Sequence, residues 1–399
     1  MDWEHDTKKG TIMIPPSSAN LFDYFESKDF FFPKEILTRY FLSLKTKPFV
    51  ILTGISGTGK TKIAQIFADY MCQELLPEEK KKRVAFVPVR PDWMDNKGLI
   101  GYYNLLDEKY YATPVLRLLI EAGQHPEQPY FVIFDEMNLA KVEQYFSDFL
   151  SIMESRTPDN KEGQPIILHT LENISTPGGL NIPQDLYIPS NVYFTGTVNV
   201  DESTYMFSPK VLDRANVIEF NEVDLDDYEK GIAKAEADKF FLNKAEVRDN
   251  FISQDETPFC SRQDYLNLLE ITEHFKPILK SLLDLLKEYN FHFGYRVVNE
   301  ISRFVRTAHD MIHMFNMDDA MDVQFLQKVL PKFHGTQAKL AGPLEAILSF
   351  CYNQDAPVAK EIKERAKRFD ETARFPRTAQ KTTRMLENLE VQGYTSFIE

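Results

Sequence analysis

The chain has 399 residues and a formal net charge of −14, an acidity that argues against a broad built-in basic surface for nucleic acid, although a local patch would survive it. Its 43% hydrophobic content suits a globular protein with sizeable cores, and its length allows two or three domains. Cys72, Cys260 and Cys351 lie far apart with no C-x-x-C, so neither a disulfide framework nor a zinc site is expected, and the usage fits a reduced, cytoplasmic compartment. The first residues are charged and read as no signal peptide. No window approaches the ~18 apolar residues of a membrane span.

Residues 1–19 are polar, carry Pro15 and Pro16, and read as a flexible lead-in. Pro33 suits the first turn of a helix through Phe41, with Ile36, Leu37, Tyr40 and Phe41 on its apolar face. An apolar run from Phe49 then enters G-x-x-x-x-G-K-T, written here by Gly54, Ile55, Ser56, Gly57, Thr58, Gly59, Lys60 and Thr61. A helix-like segment follows, with Ile63, Ile66, Phe67 and Tyr70 at helical spacing. Buried strand, glycine-rich turn and helix N-terminus form the context a phosphate-binding loop requires. In such a loop Lys60 reaches the β/γ-phosphates of a nucleotide, and the Thr61 hydroxyl ligates Mg²⁺.

Residues 77–83 read as a charged loop and 84–89 as a strand. Residues 90–104 fit a loop with a short helix, followed by a hairpin through Tyr110 and Tyr111, and 115–122 fit a helix. The run from Tyr130 to Phe134 is apolar throughout, as in a buried central strand, and it ends in Asp135 and Glu136. Carboxylates there lie where ligands bind in open α/β sheets. Asp135 is placed to hold a Mg²⁺ shell, and Glu136 to orient and deprotonate an attacking water. A helix is expected over 137–153, and a projecting hairpin over 154–190. Another buried strand, 192–199, ends in Asn199, an amide suited to positioning that water. A helix over 207–214 ends in Asp213 and Arg214, and 217–220 is the last strand. Taken alone, Arg214 reads as a surface ion pair. From residue 224 the apolar spacing turns helical. Arg296, at the start of one such helix, is either an ordinary surface arginine or a phosphate contact. The charged stretch 360–377 reads as a solvated helix face.

The ordered set of phosphate loop, Asp135-Glu136, Asn199, Arg214 and Arg296 resembles an AAA+ ATPase module. By that resemblance its parts are Walker A, Walker B, sensor 1, arginine finger and sensor 2. More narrowly, residues 54–61, 135–138, 195–199, 207–214 and 393–399 are similar to the McrB-type branch, the motor subunits of modification-dependent restriction systems. The resemblance implies an α/β fold: an AAA+ P-loop NTPase core, a parallel sheet flanked by helices, over 20–223, followed by an α-helical lid and C-terminal helical domain over 224–399. It implies hydrolysis of ATP or GTP with Mg²⁺, a homo-oligomeric and hexameric ring, an McrC-like nuclease partner, and DNA engaged through the partner or the ring in anti-phage defence. Fewer than 50 residues precede the first strand, too few for the modified-DNA reader that McrB carries, so the chain is expected to be either the motor of a system whose reader lies elsewhere or a truncated piece. Two other functions share the core: a MoxR-like protein remodeller, and a nucleotide-gated scaffold. Residues 91–111, the expected pore-facing part, carry few basic residues, Lys97 and Lys109 among them, which weakens direct DNA gripping.

Overall fold

The computed structural model describes residues 20–157, 159–200, 205–221, 240–242, 247–248, 251–252, 259–312, 314–354 and 357–398. The lead-in and the first stretch of the expected helical region lie outside the described residues. In chain order the strands are β1 Phe49–Gly54, β2 Val84–Pro88, β3 Tyr102–Asn104, β4 Lys109–Tyr111, β5 Tyr130–Asp135, β6 Ile166–Ile167, β7 Asp185–Leu186, β8 Val192–Asn199, β9 Asn216–Phe220, β10 His334–Thr336 and β11 Tyr394–Ser396. Five of them form one parallel sheet in the order β2-β5-β8-β1-β9. The α/β class and the buried parallel strands read from the sequence are the ones observed.

The central strands β1, β5 and β8 are buried along nearly their whole length because both sheet faces are covered there, while edge strand β2 leaves Phe86 exposed. On one face Phe49, Phe134 and Phe194 meet Phe146 and Phe149. On the other, Phe131 and Tyr193 meet Phe251, and Phe131 also meets Phe67. Phe67 belongs to the helix Lys60–Met71, which leaves the loop after β1. Register alignment puts Gly54 beside Asn199 and brings the end of β5 level with them. The loop, Asp135 and Asn199 therefore share the carboxyl edge of the sheet, where α/β folds place ligands.

Three local readings change in the structure. Residues 77–83 are a helix, Pro77–Arg83, because Pro77 starts it, Glu78 and Glu79 fill its first turn, and Lys80 to Arg83 fill its last. The helix expected over 137–153 is broken into a 3₁₀ turn, Met137–Leu139, and helices Val142–Tyr145 and Ser147–Ser155. The stretch 360–377 is not all solvated. Its helix is Lys360–Ala366, while the largely covered Arg377 side chain lies among carboxylates, donating to Glu35 at 2.6 and 2.7 Å and to Asp319 at 3.1 Å. Glu35 lies on the helix Lys34–Thr46, so this cluster joins the helical region to the sheet layer.

The C-terminal region contains helices Arg262–Ile271, Phe275–Glu288, Tyr295–Met311, Met317–Gln324, Gln337–Cys351 and Pro376–Gln392. An antiparallel pair, β10 with β11, closes it, a feature absent from the sequence reading. No described helix is long and apolar enough to cross a membrane.

Candidate functional site

β1 delivers the loop, and the helix Lys60–Met71 starts at Lys60. Gly59 has φ +90°, and a Cβ there would stand 2.8 Å from the Phe32 ring, so the turn needs glycine on two counts. Lys60 is buried, and its Nζ donates to Gly54 O at 2.9 Å and Ile55 O at 2.5 Å. Ile55, Ser56 and Gly57 form the exposed rim. The helix N-terminus adds partial positive charge at the same place, which suits a polyphosphate.

Asp135 Oδ1 accepts from Thr61 Oγ1 at 2.7 Å and from Thr197 Oγ1 at 3.1 Å. Thr197 Oγ1 in turn accepts from the amide of Glu136 at 3.1 Å. Glu136 sits in the left-handed region at φ 52°, ψ 54°, a conformation uncommon for a side-chain-bearing residue. Its Oε1 accepts from Asn199 Nδ2 at 3.1 Å. The turn after Glu136 packs hard on β8, because a Cβ at Gly196 would lie 2.4 Å from Met137 Sδ. One hydrogen-bonded set thus links Thr61, Asp135, Thr197, Glu136 and Asn199. Thr197 has no role in the sequence reading. The alternation of a strand places it on the same face as Asn199, and that was the available signal.

Asp135 and Thr61 are hard oxygen donors held side by side, a set that fits Mg²⁺ bound through one or two protein oxygens and substrate phosphates. Among the described residues no cluster of three or more His, Cys, Asp or Glu offers an all-protein metal site.

Arg214 and Arg296 are brought to each other and not to this loop. Arg214 stands two residues before the first residue of β9, Asn216, which pairs with Val50, whereas Gly54 pairs with Phe220 at the other end. At about 3.3 Å per residue β9 alone is about 13 Å long, so Arg214 lies at the end of the strand remote from the loop of its own chain. Glu154 is ion-paired with Arg214, and its Oε1 lies 2.5 Å from Arg296 Nη1. Arg296 Nη2 is also 3.3 Å from Asp213 Oδ2. Burial, and then the Arg296 charge, pull the Arg214 guanidinium below its ordinary pKa. Glu154, which offsets both charges, was not singled out from the sequence.

Strand order, phosphate-loop motif and carboxylate pair define the class: a five-stranded parallel α/β sheet with a G-x-x-x-x-G-K-T loop and two carboxylates at its carboxyl edge, followed by a helical region. The sequence is distantly homologous to the Type IV methyl-directed restriction enzyme EcoKMcrB subunit of Escherichia coli (strain K12), 26% identical over 276 residues, which are 67% of this chain and 53% of that protein. The match thus spans about half the length of this relative. A family model described as a domain of unknown function (DUF8727) matches residues 244–394. Among solved structures, similarity is found to the S. cerevisiae Hsp104:casein complex in its extended conformation, at TM-score 0.26 and 18% identity, covering 48% of this chain and 33% of that one. The S. cerevisiae Hsp104-ADP complex follows at TM-score 0.25 and 18% identity, covering 48% and 32%.

Proposed function

We propose that the chain is an NTP-hydrolysing AAA+ ring motor of the McrB-like kind, the motor subunit of a DNA restriction or anti-phage defence system that works with a nuclease partner. The observation that carries the hydrolytic reading is the hydrogen-bonded set Thr61, Asp135, Thr197, Glu136 and Asn199 beside the phosphate loop. Lys60 and the loop hold the phosphates. Thr61 and Asp135 would hold Mg²⁺, which would supply positive charge to the phosphates. Glu136 takes the proton of the attacking water, and Asn199 orients Glu136 through its amide. The distant homology to an McrB subunit supports the restriction role. ATP and GTP both fit, since these groups meet phosphate and not base. A MoxR-like remodeller is the second reading. The exposed Leu105 and Leu106 of the β3–β4 hairpin, beside Asp107 and Glu108, favour a protein contact over a DNA contact at that tip.

Equilibrium titration with fluorescent ATP and GTP analogues tests the binding half. Lys60→Ala is expected to abolish binding, and unchanged affinity for both nucleotides would overturn the assignment. Glu136→Gln keeps the shape but loses the base, so binding persists while turnover drops by roughly 10²-fold or more. Wild-type turnover in Glu136→Gln would remove it from the chemistry. Stimulation of turnover by DNA or by a nuclease partner separates the motor from the remodeller.

A further inference from the structure

A line of polar contacts runs from the helical region to the phosphate loop through residues the hydrolytic set does not use. Lys381, on the helix Pro376–Gln392, is buried, and its Nζ donates to Glu219 Oε1 at 2.7 Å. The Phe397 ring covers the same ammonium at 4.7 Å. Glu219 Oε1 also accepts from Asn221 Nδ2. Asn221 Oδ1 then accepts from the backbone amide of Ile55, the residue after Gly54, at 3.2 Å. The loop and the end of β9 are in close contact here, since a Cβ at Gly54 would lie 2.1 Å from Phe220 O and 2.9 Å from Asn221 Oδ1.

We propose that Asn221 is a positioning residue for the phosphate loop, and that Glu219 and Lys381 transmit its orientation to the C-terminal helix, so that nucleotide binding and the seating of that helix are energetically linked. The proposal rests on the nucleotide-binding reading above. An amide side chain has a donor end and an acceptor end. Glu219 engages the donor end, which turns the acceptor toward Ile55. Lys381 neutralises Glu219 and fixes its oxygen, so the helix sets which way Asn221 faces. A loop whose amides are already shaped for phosphate loses less freedom on binding, and that preorganisation appears as affinity. Arg296, from the same helical region, lies at the opposite edge of the sheet, whereas Lys381 reaches the loop side.

The test is equilibrium titration of the full chain with a fluorescent nucleotide, alongside steady-state turnover. Asn221→Ala is expected to weaken binding roughly 3- to 10-fold and to raise KM in proportion. Its kcat stays within about twofold, because the groups that act on the water do not move. Lys381→Met weakens binding by roughly two- to threefold, and Lys381→Arg, which keeps the charge, restores it. The double variant Asn221→Ala/Lys381→Met binds like Asn221→Ala alone, because the line is already cut. Unfolding midpoints without nucleotide identify a folding defect. Should Lys381→Met not fold, Glu219→Gln interrupts the line instead, with the same non-multiplicative pattern expected beside Asn221→Ala. Wild-type affinity in Asn221→Ala, or effects that multiply in the double variant, would overturn the proposal. Failure of the underlying reading looks different: wild type and Lys60→Ala would then bind nucleotide equally poorly.

Discussion

Mixing Arg214→Ala subunits with Glu136→Gln subunits is expected to restore turnover that neither variant shows alone. Arg214 stands before the end of β9 that lies away from the phosphate loop of its own chain, and it pairs there with Glu154. In the proposed ring, the arginine at one edge of a subunit would meet the phosphate loop of its neighbour in a head-to-tail contact. Delivered to a neighbour's γ-phosphate, a guanidinium neutralises charge developing in transfer, an effect of roughly 10³–10⁵ in rate in related NTPases. Arg214→Ala should therefore bind nucleotide normally and hardly hydrolyse it. In the mixture, a Glu136→Gln subunit lends its intact Arg214 to an Arg214→Ala neighbour, whose Glu136 is intact. The measurement is NTPase activity across mixing ratios, with native mass determination of the mixed assemblies. If mixed rings form and no ratio recovers activity, Arg214 is confined to the ion pair with Glu154 seen in the single chain.

Glu300→Leu is expected to lower stability by about 3–5 kcal/mol, the cost of leaving a buried charge without its partner. Lys328 is fully buried, with Nζ 2.6 Å from Glu300 Oε2, and Lys47 is ion-paired with the other oxygen of the same carboxylate. Lys328 Nζ also donates to Asp213 O at 2.7 Å and Ala215 O at 3.0 Å, the carbonyls either side of Arg214. Glu300 lies one turn below Arg296 on the helix Tyr295–Met311, so this network also fixes where the two arginines stand. The double variant Glu300→Leu/Lys328→Met leaves fewer buried charges unmatched and should recover part of the loss. Urea denaturation of the three proteins measures it, and a double variant less stable than both singles would contradict the account. Burial by itself would raise the Glu300 carboxyl, but the Lys328 and Lys47 charges outweigh it and hold the pKa down to about 2. A carboxylate with a depressed folded pKa contributes stability above its unfolded value and loses it on acidification. Wild type should therefore lose this share between about pH 4.5 and 2, and Glu300→Leu should lack that part of the acid transition.

Much of the site was legible in the chain because its parts are local. The loop is eight consecutive residues. The carboxylates and Asn199 follow continuous apolar runs, and such runs announce buried parallel strands. The pairings that complete the site join residues far apart in sequence. Strand alternation puts Thr197 on the face of Asn199 but does not say that it bridges Asp135 and Glu136, and nothing near Asn221 shows that it will hold the amide of Ile55.

The sequence by itself determined the strands of the parallel sheet, the loop and the order in which the chemical groups occur. These follow from side-chain periodicity and from the few residues able to make a glycine turn before a lysine. Only the tertiary structure decided on which edge each arginine lies. Arg296 could have folded over its own phosphate loop. The packing of the helix Tyr295–Met311 against the helix Lys34–Thr46, and the buried Lys328–Glu300 pair, set it beside Arg214 instead. The reason is the reach of the forces. Periodicity is expressed within a few residues, whereas a buried charge is satisfied only by a partner that another element brings to it.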